Sequence, residues 1–227
     1  MKVGTDAVLL GSWCDLDGCN NAIDLGTGSG ILSLMLAQRG LKKITSVELD
    51  MHAAMQASSN FSASPWPEKF ETICADVHQL RESLNGCFDL IISNPPYFEG
   101  YVESVGDERN KARHATGNPE EFRKDWFITA YALGREMCRF CLIFPYNDEQ
   151  KWLSSAGEAG WFAHQICRVK GNKNARFSRT LALFSKTPCL ETDTKELCIE
   201  TEKRGIYTEE YQKLTQDFYL ERVFARK

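Results

Sequence analysis

The chain has 227 residues, with 27 Lys and Arg side chains against 31 Asp and Glu, which gives a formal net charge of −4. Hydrophobic residues make up 43% and charged residues 26%, proportions that exclude collagen-like, disordered and coiled-coil chains and suit one domain with a full core. No apolar run reaches the roughly 18 residues that span a bilayer, and we expect no signal peptide because residues 1–6 lack its basic and apolar segments.

Apolar strands alternate with amphipathic helices along the chain, a pattern typical of an α/β fold with a mostly parallel, doubly wound sheet. Helices are predicted at 5–13, 30–38, 51–61, 118–137, 148–157 and 209–219, the first of them capped by Thr5 or Asp6. Strands are predicted at 22–25, 44–49, 70–75, 88–93, 139–145, 161–169, 177–185 and 194–202. The polar stretch that follows Tyr97 and extends to about Gly117 is predicted to be a long loop, and residues 171–175 a hairpin turn.

A glycine loop joins the first predicted strand to the second helix, with the sequence Asp24-Leu-Gly26-Thr-Gly28-Ser-Gly30. Glycines at alternate positions let the backbone turn sharply and approach a ligand closely. The dinucleotide pattern is not met, because Ile31 or Ser33 stands where its third glycine would fall, and no P-loop lysine follows. The leading carboxylate of Asp24 opposes a diphosphate ligand and favours one with a positive amine.

Two further acids stand at the ends of the next strands. Glu48 ends the second strand, where a carboxylate can accept hydrogen bonds from both hydroxyls of a ribose. Asp76 follows the third strand and can accept from the exocyclic amine of an adenine. Together with Asp24 and the glycines, these acids predict a site for S-adenosylmethionine. A glycine turn with unrelated surface acids is the alternative.

The tetrapeptide Asn94-Pro95-Pro96-Tyr97 follows the fourth strand, at the edge of the sheet where the cofactor would lie. A strand-terminating turn would explain the two prolines but not the flanking Asn and Tyr. The glycine loop and Ser93-Asn-Pro-Pro-Tyr together resemble the class I S-adenosylmethionine-dependent methyltransferases that methylate planar nitrogens. For such a target, the Asn94 side-chain oxygen and the Pro95 carbonyl can accept hydrogen bonds from the amine while Tyr97 stacks on the ring.

Several substrates share this motif: adenine in DNA or RNA, guanine in ribosomal RNA, and glutamine in release factors. Glutamine methyltransferases usually carry a helical domain ahead of the catalytic one, whereas only about twenty residues precede the glycine loop here. DNA enzymes usually add a target-recognition domain, for which the chain has little room. Protein-glutamine methylation and other nucleic-acid amino-methylation remain alternatives, together with a non-catalytic RNA-binding protein that keeps the cofactor fold.

The rest of the chain resembles the bacterial valine-tRNA (adenine-37, N6) methyltransferases. The segments that carry this resemblance are Met1-Lys-Val-Gly-Thr-Asp-Ala-Val-Leu-Leu-Gly-Ser-Trp13, Asn94-Pro-Pro-Tyr-Phe98, Ala112-Arg-His114, Tyr207-Thr-Glu-Glu-Tyr211 and Leu214-Thr-Gln-Asp-Phe-Tyr219. The resemblance implies methyl transfer to N6 of the tRNA adenine beside the anticodon. Members of that family carry a stretch ahead of Lys2-Val-Gly-Thr-Asp6, so we expect that a preceding segment is missing or that the lid over the cofactor is reduced.

The implied fold is a Rossmann-like class I methyltransferase, a mostly parallel seven-stranded sheet with a C-terminal antiparallel hairpin. We expect a single methyltransferase domain over 1–227, made of an N-terminal cap segment at 1–20, a catalytic core at 21–186 and a C-terminal strand and helix at 187–227. The predicted cofactor-binding residues are Thr5, Asp24, Gly26, Gly28, Gly30, Glu48, Asp76 and Asn94. The predicted catalytic residues are Asn94, Pro95, Pro96 and Tyr97. Thr5 is explained nearly as well by a helix cap.

Charge is distributed unevenly along the chain: residues 1–100 have a net charge of −6, residues 101–186 of +4 and residues 187–227 of −2. Six basic residues and no acid occur between 165 and 186, namely Arg168, Lys170, Lys173, Arg176, Arg179 and Lys186. A local basic face matters more for phosphate binding than the total charge. The predicted RNA contacts are therefore Arg113, His114, Lys170, Lys173, Arg176 and Arg179. A solvated strand face and an ordinary loop histidine are the alternatives.

The nine cysteines are odd in number and irregularly spaced, which predicts free thiols in a protein of the reducing cytoplasm. Cys138-Arg-Phe-Cys141 has C-x-x-C spacing, but no second pair and no histidine cluster accompanies it. We therefore expect neither a metal site nor a redox motif.

Overall fold

Alternating strands and helices build one eight-stranded sheet in the computed structural model, which describes residues 4–96, 118–220 and 223–224. The strands are β1 Asn21–Leu25, β2 Lys43–Glu48, β3 Phe70–Cys74, β4 Phe88–Ser93, β5 Gly134–Pro145, β6 Phe162–Lys170, β7 Phe177–Ser185 and β8 Asp193–Cys198. The helices are α1 Thr5–Trp13, α2 Ile31–Gln38, α3 Met51–Ser62, α4 Pro119–Leu133, α5 Glu149–Glu158 and α6 Glu209–Thr215. The predicted α/β class is confirmed.

The strand order is β3-β2-β1-β4-β5-β7-β6-β8. Strands β1 to β5 run parallel to one another, and β7 is antiparallel to both β5 and β6, which confirms the predicted hairpin. The sheet has one strand more than the seven expected, because β8 pairs parallel to β6 from Gln165↔Asp193 to Lys170↔Cys198. The chain reverses direction across the sheet between β1 and β4, so a crevice opens at the carboxyl ends of these two strands.

Two apolar cores cover the two faces of the sheet. One packs α4 and α5 against the strands and includes Phe127, Phe140 and Trp161. The other packs α1, α2 and α6 and includes Leu36 and Tyr211. This explains the continuous apolar runs of the central strands. A strand that is buried on both faces has no solvent-facing side, so its residues do not alternate between apolar and polar. Within the described residues, no helix is long and apolar enough to cross a membrane.

Some predicted boundaries are wrong. The helix predicted to run to 137 ends at Leu133, and β5 begins at Gly134, five residues earlier than the pattern indicated. A Cβ at Gly134 would lie 2.7 Å from the Cys138 sulfur, so the turn into the strand is too tight for a side chain. The last helix ends at Thr215 and the last strand at Cys198, both shorter than predicted. The predicted loop between Tyr97 and Gly117 lies outside the described residues.

The cap predicted for α1 is also wrong. Gly4 occupies the N-cap position, and no side chain caps the helix. The Asp6 carboxylate instead accepts a hydrogen bond from Arg179 Nε on β7 at 2.9 Å. Asp6 therefore pairs with a charged side chain on another element and does not form the helix cap that the sequence suggested.

Gly30 fixes the approach of α3 to the glycine loop. Its φ is +84°, and a Cβ there would lie 2.4 Å and 2.6 Å from ring atoms of Phe61 and 3.3 Å from the Cβ of Ala57. Phe61 in turn stacks on Phe70 of β3, with ring centroids 4.2 Å apart. The third glycine of the loop is thus required by both backbone conformation and packing.

We expect Gly30→Ala to lower the free energy of unfolding by about 3 kcal/mol, from left-handed strain and overpacking together. Urea unfolding measures the change. Gly18→Ala separates the two causes, because Gly18 also has a positive φ, +72°, but open space around it. That control should lose only about 1 kcal/mol. Equal losses in the two variants would contradict the packing argument.

Candidate active site

The parallel register brings the predicted site residues to one edge of the sheet. Asp24 is aligned with Ser46 on β2 and with Ile92 on β4, and Glu48 is aligned with Cys74 on β3. The loops that follow β1, β2, β3 and β4 therefore leave the sheet side by side. These loops carry the glycines, the acids and the Asn-Pro-Pro segment, and the crevice between β1 and β4 lies among them.

The glycine loop adopts a backbone shape that only glycines take easily. Gly26, Gly28 and Gly30 have φ of +74°, +57° and +84°. The amides of Gly26 and Thr27 both donate to the Val47 carbonyl, each at 2.9 Å, which ties the loop to the end of β2. The loop therefore presents bare backbone toward the crevice, where a ligand can approach without meeting a Cβ.

Asp24 lies beneath this loop and is fully buried. Its Oδ2 accepts hydrogen bonds from the hydroxyls of Thr27 at 2.6 Å and Ser33 at 2.8 Å, and Ser33 also bonds the hydroxyl of Ser46 at 2.8 Å. Burial raises the pKa of Asp24 to about 6, although both hydroxyls lower it, and the charge of Glu48 adds a small further increase. Asp24 Oδ1 is buried and has no hydrogen-bond partner in the described part of the chain.

Glu48 connects three segments through its carboxylate. Oε2 accepts from the Gly28 amide at 2.8 Å, and Oε1 accepts from the Asp50 amide at 3.1 Å. Asp50 in turn caps α3 by accepting from the Ala53 amide at 2.7 Å. The acid predicted to hold a ribose therefore also holds the glycine loop against the start of α3.

Asp76 stands in the turn after β3. Its Oδ1 accepts from the His78 amide at 2.9 Å, and the preceding Ala75 amide donates to the Glu48 carbonyl at 3.0 Å. These bonds fix the turn beside the end of β2. Asp24, Glu48 and Asp76 thus lie on neighbouring strand ends, as the sequence predicted.

The Asn-Pro-Pro segment leaves β4 next to the glycine loop. The Ser93 hydroxyl donates to the Leu25 carbonyl at 2.7 Å, so the ends of β4 and β1 are joined. Asn94 is half-buried, Pro95 is buried and Pro96 is half-buried. Three predicted site residues lie outside the described residues, namely Tyr97, Arg113 and His114.

Thr5 is exposed at the start of α1. The neighbouring Asp6 pairs with Arg179, which is aligned with Pro145 at the carboxyl end of β5. This pair places the start of α1 at the same edge of the sheet as the glycine loop. The predicted contact between Thr5 and the cofactor stays a prediction.

Four of the six residues of the basic run bind groups from elsewhere in the chain, three of them binding carboxylates and one of them binding carbonyl oxygens. Three arginines and lysines of the run form ion pairs: Arg168 with Glu149 at 2.8 Å, Lys170 with Glu196 at 3.1 Å, and Arg179 with Asp6 at 2.9 Å. Lys186 donates to the carbonyls of Gly134 at 2.6 Å and Tyr131 at 2.8 Å. Lys173 and Arg176 are exposed near the turn between β6 and β7. The basic surface that is free to bind phosphate is therefore smaller than the six residues of the run. Its contact with RNA stays a prediction.

Sequence reasoning missed two residues of α4. Trp126 is 6% exposed and its Cη2 lies 3.9 Å from where a Cβ of Gly26 would be, so its ring covers the glycine loop. Arg123 is 8% exposed, one turn earlier on the same helix. Trp126 Nε1 and Arg123 Nε are both buried without a partner in the described part of the chain. The sequence holds one sign of this site, because Arg123 is a single arginine within the apolar helical face formed by Phe122, Trp126 and Phe127.

Residues 5–110 match the family model "Methyltransferase small domain". The protein named tRNA1(Val) (adenine(37)-N6)-methyltransferase in Photorhabdus laumondii is 38% identical, over 97% of this chain and 89% of that one. Its namesake in Flavobacterium johnsoniae is 37% identical, over 97% of this chain and 93% of that one. The chain belongs to the tRNA1(Val) (adenine(37)-N6)-methyltransferase family. The resemblance drawn from the sequence is confirmed.

Solved structures agree on the fold. Protein Atu636 from Agrobacterium tumefaciens, a predicted O-methyltransferase, superposes with a TM-score of 0.71 at 19% identity, covering 93% of this chain and 96% of that one. A TehB-like SAM-dependent methyltransferase from Corynebacterium glutamicum gives a TM-score of 0.56 at 16% identity, covering 82% and 89%. At these identities the likeness shows a Rossmann-like methyltransferase fold. Among the described residues, no group of three or more His, Cys, Asp and Glu side chains could hold a metal ion.

The buried Asp24 makes stability depend on pH. Its pKa is about 6 in the folded protein against 3.8 when unperturbed, so the unfolded chain loses its proton first as the pH rises. The free energy of unfolding of the wild type, relative to Asp24→Asn, should therefore fall by about 2 kcal/mol between pH 4 and pH 7. Urea unfolding of both proteins across this range measures the difference. A constant difference would contradict the burial of an ionisable carboxyl.

Proposed function

We propose that this chain transfers the methyl group of S-adenosylmethionine to N6 of adenine 37 in a valine tRNA. The observation that carries the proposal is family membership at 38% identity over 97% of the chain, together with Asn94, Pro95 and Pro96 beside the glycine loop. The same membership favours adenine methylation over the glutamine-methylating and non-catalytic alternatives. The proposal also includes a cytoplasmic location, where tRNA is found, and one methyltransferase domain over 1–227 with the segments given above.

The residues around the glycine loop fit S-adenosylmethionine. The buried Asp24 Oδ1 lacks a donor among the described residues, and the ammonium of the cofactor is such a donor. The glycine backbone leaves room for the ligand, and Glu48 and Asp76 offer carboxylates for the ribose hydroxyls and the adenine amine. Thr5 lies at the same edge and contacts the methionine end. When bound, the sulfonium supplies an activated methyl group with a neutral leaving group.

The Asn-Pro-Pro segment orients the target amine. The lone pair of adenine N6 is delocalised into the ring, which makes the amine a poor nucleophile. Hydrogen bonds from that NH₂ group to the Asn94 side-chain oxygen and the Pro95 carbonyl oxygen fix its direction and favour a localised lone pair. The prolines remove competing amide donors and keep the carbonyl rigid. Proximity and orientation then supply most of the rate, and no strong general base is needed.

The target adenine has to leave its stack to reach this segment, because N6 of a stacked base is hard to approach. We propose that Tyr97 stacks on the extruded ring and that Arg113 and His114 contact the RNA nearby. Lys173 and Arg176 are exposed and can meet phosphates directly. Lys170 and Arg179 form ion pairs with Glu196 and Asp6, so each would bind a phosphate only while it also remains paired with its acid.

Mass spectrometry of tRNA nucleosides from a deletion strain tests the function as a whole. Loss of N6-methyladenosine at position 37 of a valine tRNA, restored by the wild-type gene, is the expected result. Purified protein should transfer labelled methyl from the cofactor to total tRNA and not to release factor. Unchanged tRNA in the deletion strain would refute the assignment.

Asn94→Ala should leave cofactor binding intact and lower turnover about 100-fold or more, because it removes a contact that orients the reacting nitrogen. Single-turnover methylation of tRNA and calorimetry with the cofactor measure the two effects. Asn85→Ala is a matched control, since Asn85 is exposed just before β4, at the opposite end of the strand. Wild-type turnover in Asn94→Ala would contradict the proposed role.

Glu48→Gln should raise the Kd of the cofactor about tenfold or more by weakening charged hydrogen bonds to the ribose. Calorimetry measures the affinity, and a thermal melt reports any loosening of the bonds to Gly28 and Asp50. The control is Glu71→Gln, because Glu71 is exposed on β3 and pairs only loosely with Lys43, at 4.0 Å. An unchanged Kd would exclude Glu48 from the cofactor site.

A further inference from the structure

A cavity of about 670 Å³ lies between the start of α4 and the length of α5. Its walls include Pro96 from the Asn-Pro-Pro segment, Pro145 from the end of β5, Arg123 from α4, and Gln150 and Ser155 from α5. Pro96 directly follows the two residues that we propose to hold the target amine. The cavity is therefore next to the reacting base, and its size suits a nucleotide.

Arg123 is the cationic group of this cavity that the described residues leave unsatisfied. The side chain is 8% exposed, and its Nε is buried without a partner. In the ranges 4–96 and 118–220, no hydrogen bond or ion pair engages the guanidinium. A buried cation without a partner is costly, and an anion that accepts its hydrogen bonds would remove that cost.

The acids around the cavity are already paired with other cations. Lys124 binds the carboxylates of Glu120 at 3.0 Å and Glu158 at 3.1 Å, and Lys151 binds Asp148. The Lys124 bond lowers the pKa of Glu120, and the charge of Arg123 lowers it slightly further. Lysines thus compensate the charge of the acids near Arg123. The hydrogen-bond donors of Arg123 remain available for an anion from outside the protein.

We propose that Arg123 binds a phosphodiester of the RNA next to the methylated adenine. This inference rests on the proposed function. A base held by Asn94 and Pro95 has its own sugar and phosphates beside Pro96, at the mouth of the cavity. A guanidinium presents a planar set of N–H donors that matches two phosphate oxygens, and contacts of this kind position RNA without reading its sequence. The carboxylate of the cofactor is the competing anion.

The first test compares Arg123→Gln with Lys42→Gln, a matched loss of one positive charge. Lys42 is exposed just before β2, at the opposite edge of the sheet. Binding of an RNA hairpin with the anticodon stem and loop is followed by fluorescence anisotropy at several salt concentrations, and cofactor binding by calorimetry. Arg123→Gln should weaken RNA binding about tenfold and reduce the salt dependence by about one phosphate contact. Lys42→Gln should change neither quantity by more than about twofold.

Stability and cofactor affinity separate this role from the alternatives. The melting temperature of Arg123→Gln should not fall, because the variant removes a buried charge that no group in the described part of the chain compensates. The Kd of the cofactor should stay unchanged. An increased cofactor Kd with unchanged RNA binding would assign Arg123 to the cofactor carboxylate and overturn the proposal. Unchanged RNA binding and salt dependence would overturn it as well.

A second test keeps the protein unaltered and removes the phosphate charge instead. Hairpins that each carry one neutral methylphosphonate linkage near the target adenine are bound to the wild type and to Arg123→Gln. At one linkage, the neutral group should weaken wild-type binding as much as the substitution does, with no further loss in the variant. Additive losses at every linkage would refute the contact. Methylation of the unmodified hairpin by the wild type is measured in parallel, and its absence would count against the proposed function rather than against Arg123.

Discussion

The site depends on one buried carboxylate, Asp24, which pairs with no cation among the residues that the structure describes. Asp24 lies near the end of β1 in full burial, where burial opposes its charge and hydrogen bonds from the hydroxyls of Thr27 and Ser33 and from the Ser33 backbone support it. Thr27 closes the glycine loop on it, and Ser33 ties the first turn of α2 to it and passes the link to β2 through Ser46. The position of the loop, of α2 and of the crevice follows from this group. A cationic ligand would complete the network, which is a physical reason for the loop to accept one.

The parts of the site that the sequence predicted are those that topology alone dictates. Parallel strands end at one edge, so Asp24, Glu48, Asp76 and Asn94 had to meet once their strands were recognised from apolar runs and turn residues. The fold class followed from the same alternation. Neither inference needed side-chain detail, since strand order and strand direction fix where the loops emerge.

Non-local contacts set the limits of prediction. The segment at 135–137 has helix-forming residues, yet it belongs to β5 because the chain pairs with β4 on both sides of it, Gly134 with Phe88 and Arg139 with Leu90, and the segment forms the bulge between them. The basic run seemed free of acids, but Glu149 comes from a helix and Glu196 from a strand outside it. Arg123 was missed for a related reason: an arginine on an apolar helical face gains meaning only when the opposite wall of the cavity is known.

The eighth strand has a consequence for how the chain avoids self-association. A sheet edge offers unpaired amide and carbonyl groups to any other strand, and β6 would present such an edge if β8 were absent. β8 covers it and exposes Asp193, Lys195 and Glu196 in its place. Charges on an edge strand oppose the docking of a second sheet. The charged β8 therefore reduces aggregation while the sheet assembles.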